Sequence, residues 1–239
     1  MNLDTFQNRF EIKYVIPGTL ANSIVKDLAP FCIPDPNSVD QKGFYDIYSL
    51  YYDSPNLAWY FEKIDGKKKR KKLRVRYYGS IDVKKAFIEI KRKDILTVSK
   101  ERIEIDAKDI NRRIFNPTTA EIDGSLTQQK IYSYSKFYQL QPKVLIKYTR
   151  QAFIGRSDPR LRITFDTNLK CSKMYPNSDM IEPTKKMISP LNTILEIKFN
   201  TAHPKWLRSI CEKYSLNPTR VSKYCLAIDK TYPKTLIYY

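Results

Sequence analysis

Glycine is scarce in this chain, six in 239 residues. That scarcity goes with the absence of both GxxxxGK[ST] and GxGxxG, so no glycine-rich turn is available to cradle a nucleotide phosphate ahead of a helix. Histidine is represented by His203 alone, and the cysteines Cys32, Cys171, Cys211 and Cys225 form no CxxC pair. A thiolate–imidazole zinc site is therefore not expected, and the thiols read as reduced, buried side chains of a reducing compartment. Long apolar runs are also missing: no stretch approaches the roughly 18 residues of a membrane span. The opening MNLDTFQNRFEIKY has no apolar core of a signal peptide. The expectation is a cytoplasmic protein, with contact at the inner face of the membrane left open.

Acidic residues are the last shortage. Asp and Glu number 25 against 43 Lys and Arg, a formal charge of +18. Solubility needs far less. The surplus points to an anionic partner: nucleic acid, an acidic membrane surface, or a phosphorylated molecule or polymer. The hydrophobic fraction of 42% and aromatic fraction of 13% suffice for a core. No linker or low-complexity tract divides the chain, which reads as a single domain over residues 1–239.

What is present is alternation. In Lys71–Lys93, KKLRVRYYGSIDVKKAFIEIKRK, two strands flank a turn at Gly79-Ser80. Lys72, Arg74 and Arg76 share a face in the first, Glu89, Lys91 and Lys93 in the second, and apolar residues take the opposite faces. Like charges placed across neighbouring strands repel, so an anion is expected between them. The same pattern recurs in Arg9–Val15, Thr97–Asp106 (Lys100, Arg102, Glu104), Lys143–Phe153 (Tyr148, Arg150), Arg160–Asp166 (Arg160, Arg162) and Asn192–Phe199. Phe44–Tyr52 is a further strand. Helices are expected from Pro17 to Phe31, from Ser54-Pro55 onward, in an insertion at about 107–138, and in two closing segments within about 204–230. Gly66–Lys72, GKKKRKK, reads as a basic loop.

One tripeptide occurs three times, each inside a strand: Glu11-Ile12-Lys13, Glu89-Ile90-Lys91 and Glu196-Ile197-Lys198. Two architectures satisfy strands with one apolar and one charged face. One is a sandwich or small barrel with its charges in water. The other is a wider barrel with a polar lumen, its outer face covered by the helices. Cations crowded in a lumen call for a polyanion such as a triphosphate, held by arginine forks and lysine point charges. The few glutamates could hold Mg²⁺ or Mn²⁺, which favour oxygen ligands shared with substrate phosphates.

The pieces RFEIKY, SLYYDSPNL, LRVRYYG, FIEIKRK, SKER, IKYTRQAF, LRITFD, ILEIKF and VSKY run in order from about Arg9 to Tyr224. In that order and spacing the chain resembles the polyphosphate-polymerase (VTC) domain of the triphosphate tunnel metalloenzyme (CYTH-like) superfamily, in a standalone bacterial form. The resemblance implies an α+β fold, an antiparallel β-barrel of about eight strands surrounded by helices. It implies an enzyme that moves the γ-phosphate of ATP onto a growing polyphosphate chain with Mn²⁺ or Mg²⁺. Carried over by position, Lys13, Arg74, Arg76, Lys91, Lys100, Arg150 and Arg162 are the phosphate-handling residues. Tyr148, Ser222 and Lys223 are substrate contacts, Lys93 a second-rank one, Glu11 and Glu89 charged tunnel positions that orient lysines, and Glu196 the metal ligand. Eukaryotic versions carry an inositol-phosphate sensor domain and membrane helices that this sequence lacks, so a membrane or membrane-protein partner stays open. Two other readings remain: a triphosphatase using the same cations with water as acceptor, and a non-catalytic module binding polyphosphate or RNA. Nucleic acid is not the expected partner, because the tyrosines alternate with the charges as core residues rather than forming an exposed stacking groove.

Overall fold

The computed structural model describes residues 10–36, 43–95, 97–200 and 202–233. Arg9 and the terminal TLIYY lie outside the described residues. Along the chain come β1 (Phe10–Pro17), α1 (Gly18–Leu28), β2 (Cys32–Pro34), β3 (Phe44–Asp53), α2 (Ala58–Ile64), β4 (Arg70–Tyr78), β5 (Lys85–Asp94) and β6 (Thr97–Asp106). A 3-10 turn (Ala107–Asp109) leads into α3 (Ile110–Phe115), α4 (Thr119–Asp123) and α5 (Leu126–Phe137), where the sequence predicts the helical insertion. Then follow β7 (Gln141–Gly155), β8 (Arg162–Lys173), β9 (Lys185–Lys186), β10 (Asn192–Phe199), α6 (Lys205–Lys213) and α7 (Lys223–Thr231).

The fold is α+β, a large antiparallel sheet with helices. Its hydrogen-bonded order is β1-β10-β8-β7-β3-β4-β5-β6, with β2 on β7 and β9 on β8. Among the described residues β1 and β6 are the ends of that eight-strand path. The chain divides into two compact units: one of residues up to Asp46, Tyr148–Leu169 and Ile188–Ser222, the other of Ile47–Lys147, Lys170–Met187 and the segment from Lys223.

In the first unit, Ile12, Ile197 and Ile163 lie side by side on β1, β10 and β8, as do Tyr14, Leu195 and Phe165. This apolar face packs against Ile24 and Leu28 of α1 and Leu207 and Ile210 of α6. In the second unit, Leu50 and Tyr52, Leu73, Val75 and Tyr77, and Ile88 and Ile90 form the apolar face of β3, β4 and β5. Trp59 of α2, Ile110 and Ile114 of α3 and Ile131 of α5 cover it. Each such aliphatic side chain contributes about 1.5–3 kcal/mol by leaving water. In both units the helices therefore take the apolar face. The opposite, charged face nevertheless holds Arg76, Glu89, Arg150, Asp166 and Glu196, all buried. A sandwich with its charges in water does not place such groups out of solvent, so that architecture is excluded for these strands. All four cysteines are free thiols. Burial pushes Cys32 and Cys171 up to about 11, as expected of inert core thiols.

Four local boundaries differ from the sequence expectation. The helix expected at Ser54-Pro55 begins at Ala58 instead. Asp53 is the reason: its carboxylate accepts the backbone N–H groups of Ser54 (2.7 Å), Trp59 (3.0 Å) and Tyr60 (2.9 Å), acting as the anion at the start of α2. Leu57 turns the chain there with φ 59°, while Ser54 Oγ accepts the N–H of Ala58 at 2.9 Å. β4 starts at Arg70, which shortens the basic loop. β8 starts at Arg162, leaving Arg160 in a turn held by Asp158 at 2.9 Å. α7 starts at Lys223 rather than Thr219, because the Thr219 N–H donates to the Lys13 carbonyl at 2.7 Å and keeps that segment extended along β1.

Asp53 also fastens α7. The Tyr224 hydroxyl donates to it at 2.5 Å, and Tyr60 donates to Asp229 at 2.6 Å. Asp53 is fully buried, and burial raises its pKa although the hydrogen bonds pull the other way. Asp53→Ala leaves two helix N–H groups and a phenol without an acceptor. It should lower unfolding free energy by about 3 kcal/mol in urea titrations, and Tyr224→Phe by about 1 kcal/mol. A loss under about 0.5 kcal/mol for Asp53→Ala would remove the anchor role.

Candidate polyanion site

In the second unit, the polar face of β4, β5 and β6 is a ladder of charged rows. Arg74 lies opposite Glu89, which lies opposite Arg102; Lys72, Lys91 and Lys100 form the next row; Arg70 pairs with Lys93 beyond it. As the alternation placed it, Glu89 shares this face with the cations. Glu89 is its hub. Arg74 reaches Glu89 Oε2 through Nε at 2.7 Å and Nη2 at 2.6 Å. Lys100 Nζ lies 2.6 Å from Oε1, and Arg76 Nη1 lies 3.8 Å from Oε2. Burial would raise the Glu89 pKa, but the Arg74, Arg76 and Lys100 charges hold it well below the usual carboxylate range. Lys100 is pushed down, chiefly by desolvation.

In these three rows the cations outnumber the single carboxylate, Glu89. The Lys72–Lys91–Lys100 row sets three ammonium side chains across neighbouring strands, where like charges repel, and Lys100 of this row pairs with Glu89. Tyr51, which the sequence reading passed over as core, belongs to the cluster. Its hydroxyl accepts from Arg74 Nη1 at 2.9 Å. Burial would raise its pKa, yet the Arg74, Lys72 and Arg76 charges bring it down to about 8. Its ring stacks on Tyr224 at 5.2 Å. Tyr224 follows Lys223, the first residue of α7, so this stack brings the start of that helix to the cation cluster. Ser222 ends the first unit, immediately before α7.

In the first unit the corresponding face carries two rows across β1, β10 and β8: Lys13–Glu196–Thr164 and Glu11–Lys198–Arg162. Arg150 of β7 grips Asp166 through two bonds, 2.6 and 2.8 Å. Its guanidinium lies 5.3 Å from the centre of the Tyr148 ring. Burial alone would lower the Arg150 pKa, but Asp166 and Tyr148 raise it well above normal, so it stays a fixed cation. Arg162 pairs with Asp35 at 2.8 Å and donates to Tyr45 at 3.1 Å. Lys13 pairs with Glu11 at 2.8 Å. Lys198 makes a close ion pair with Glu196. Burial lowers the Lys198 pKa to about 8, against the pull of Glu196 and Glu11.

The sequence-predicted residues thus fall into two groups, each within one unit. Lys13, Glu11, Tyr148, Arg150, Arg162 and Glu196 share the first; Arg74, Arg76, Glu89, Lys91, Lys93 and Lys100 share the second. Asp35 and Tyr45 were not foreseen, because nothing in their own neighbourhoods marks them; Asp166 was visible only as the last residue on the charged face of its strand, and Lys198 only as the third residue of a repeated tripeptide.

A divalent ion, implied by the fold family, can be tested against these donors. Among the described residues no group of three His, Cys, Asp or Glu is placed to hold a metal. The described residues thus form no protein-only cage. Glu196, with Glu11 acting on the same Lys198 ammonium, would offer the one or two carboxylate oxygens that a hard cation uses when substrate phosphates and water complete its shell. The residues fit a metal shared with substrate.

Glu89 gives a direct test of the second cluster. Its folded pKa lies below its unfolded one, so its stabilisation is present above about pH 4.3 and is lost as pH falls through the folded value. Glu89→Gln should cost about 3 kcal/mol at neutral pH by leaving the buried Arg76 without its counter-charge. In denaturation series the gap between the two proteins should close progressively below about pH 4.3; a gap independent of pH would contradict the ion-pair assignment.

The VTC domain family matches residues 8–232. Subunit 4 of the vacuolar transporter chaperone complex of Schizosaccharomyces pombe is 24% identical over 234 residues, covering 80% of this chain and 32% of that protein. The chain spans about a third of that relative's length. A solved structure of a proposed adenylate cyclase from Bacillus halodurans superposes with a TM-score of 0.52 at 10% identity, covering 96% of this chain and 98% of that one. It supports the fold alone. The family match covers nearly the whole chain and includes the strands that carry both charged ladders, and the chain belongs to the VTC domain family.

Proposed function

We propose that this protein is a polyphosphate polymerase that transfers the γ-phosphate of ATP to the end of a polyphosphate chain and releases ADP. The observation that carries this reading is the excess of cations over carboxylates on the partly buried polar face of β4, β5 and β6. Such a surface is incomplete without a polyanion. A linear chain of phosphates matches it better than a single phosphate, because the cations repeat along the strands.

In this reading an oxygen of the acceptor's terminal phosphate attacks the γ-phosphorus. The new P–O bond forms as the bond to the β,γ-bridging oxygen breaks, and the electron pair leaves with ADP. No proton need be removed from the acceptor, so positioning and charge neutralisation suffice. Arg150 and Arg162, each held by a carboxylate, present fixed guanidinium edges to phosphate oxygens. Arg74 and Arg76 do the same around Glu89, which keeps them ordered until the anion arrives. Lys13, Lys91 and Lys100 act as point charges, with Lys93 at the outer end of the ladder. Tyr148 supports Arg150, and Ser222 and Lys223 contact phosphate from the start of α7. A divalent ion held by Glu196, with Glu11 nearby, would supply charge neutralisation at phosphate oxygens.

Incubation with ATP and Mn²⁺ or Mg²⁺, followed by gel analysis of polymer and assay of free phosphate, tests the proposal. The wild type should produce a polymer ladder and stoichiometric ADP. Glu196→Gln should abolish it, and Arg74→Ala should slow it by at least about 100-fold. Free phosphate without polymer would replace the polymerase with a triphosphatase using the same cations.

A further inference from the structure

Beyond its substrate ladder, the second unit carries a surface of mixed chemistry at the far end of β5 and β6. The turn between these strands reads Asp94-Ile95-Leu96-Thr97, where a tight hairpin would ordinarily place Gly, Asn or Asp. Leu96 lies outside the described residues. Ile95 has φ 40°, an outlier for a β-branched residue and a local strain. It is 54% exposed, and Val98 on the adjoining strand is 55% exposed. Around them stand cations. The connection from α2 to β4 presents Lys67, Lys68 and Lys69, all exposed. Lys69 Nζ lies 3.8 Å from Asp94, which brings that connection against the turn. Arg70 is in register with Lys93, and Lys93 with Val98. Ile64, which ends α2 just before this connection, is 54% exposed.

We propose that this tip docks on an anionic lipid bilayer, with Ile95 and Val98 entering the headgroup region and Lys67, Lys68, Lys69 and Arg70 contacting lipid phosphates. Apolar side chains ringed by lysines are what an interfacial segment requires. A guide for a free polyphosphate chain would use the lysines and gain nothing from the isoleucine. The strain at Ile95 follows the same logic: Asn tolerates a left-handed backbone with less cost, so an isoleucine there has a use other than folding. No helix among the described residues is long and apolar enough to cross a membrane, and the docking proposed is peripheral. It does not depend on the catalytic reading.

Sedimentation with phosphatidylcholine vesicles containing about 30% phosphatidylglycerol, beside phosphatidylcholine alone, tests it at moderate salt. The intact protein should bind the anionic vesicles and not the neutral ones. Lys67→Gln/Lys68→Gln should bind roughly 30-fold more weakly. Ile95→Asn should bind at least about fivefold more weakly, with a melting temperature equal to or above that of the parent. Three results would overturn the proposal. They are no binding of the intact protein to anionic vesicles, Ile95→Asn binding as the parent does, and the lysine variant losing retention on immobilised polyphosphate while keeping vesicle binding.

Discussion

A guanidinium or ammonium leaves water only if something negative goes with it. The charged strand faces of this protein are built around that constraint. Arg150 is buried because Asp166 meets it with both oxygens. Arg76 is buried because it shares Glu89 with Arg74 and Lys100. These carboxylates let the cations assemble in the absence of ligand. On the β4–β6 face they are too few to cancel the charge, and the remainder is a standing field for an anion. Their number is therefore a compromise: with more of them the surface would be neutral, and with fewer the strands would repel one another.

The cations are not alike. The arginines are held in fixed orientations by Asp35, Asp166 and Glu89 and have little freedom to lose on binding. Lys91 and Lys100 of the Lys72–Lys91–Lys100 row are exposed and end in flexible ammonium groups, which suits contacts that must form and break as a polymer moves. Tyr51 sits between these classes. Its phenol is already drawn toward ionisation by Arg74, Lys72 and Arg76, so its proton is sensitive to whatever anion enters beside it. Through its stack on Tyr224, and the hold of Asp53 on Tyr224, the cluster is tied to the same buried anchor that starts α2 and fastens α7.

The β4–β6 ladder joins two kinds of surface along one set of strands. Toward its middle the buried Glu89 and Arg76 organise the polar face; toward the tip apolar residues appear, exposed, among the lysines. The gradient follows from strand geometry, since alternate residues of one strand continue the same face from a packed region into an exposed one.

Period-two alternation made nearly every strand legible in the sequence, and the three Glu-Ile-Lys tripeptides marked charged faces on β1, β5 and β10. Those signals are local, because side-chain direction along a strand depends on nothing but parity. The order of the family-like segments carried the candidate residues from Lys13 to Lys223. Helix starts were less legible. The α2 start depends on Asp53 accepting N–H groups up to seven residues away, and the α7 start on Thr219 bonding to β1. Which face the helices would cover, and so whether the charges would lie in water, was open in the sequence, since both architectures share one pattern. Tertiary packing decided it by spending the apolar faces on α1 and α6 in one unit and on α2, α3 and α5 in the other. Partner identity was decided there too: Asp166 for Arg150, Asp35 for Arg162, Glu89 for three cations. Composition and alternation determine that a chain has charged strand faces, but an ion pair between residues 127 positions apart, as for Asp35 and Arg162, exists only once strand register brings the two together.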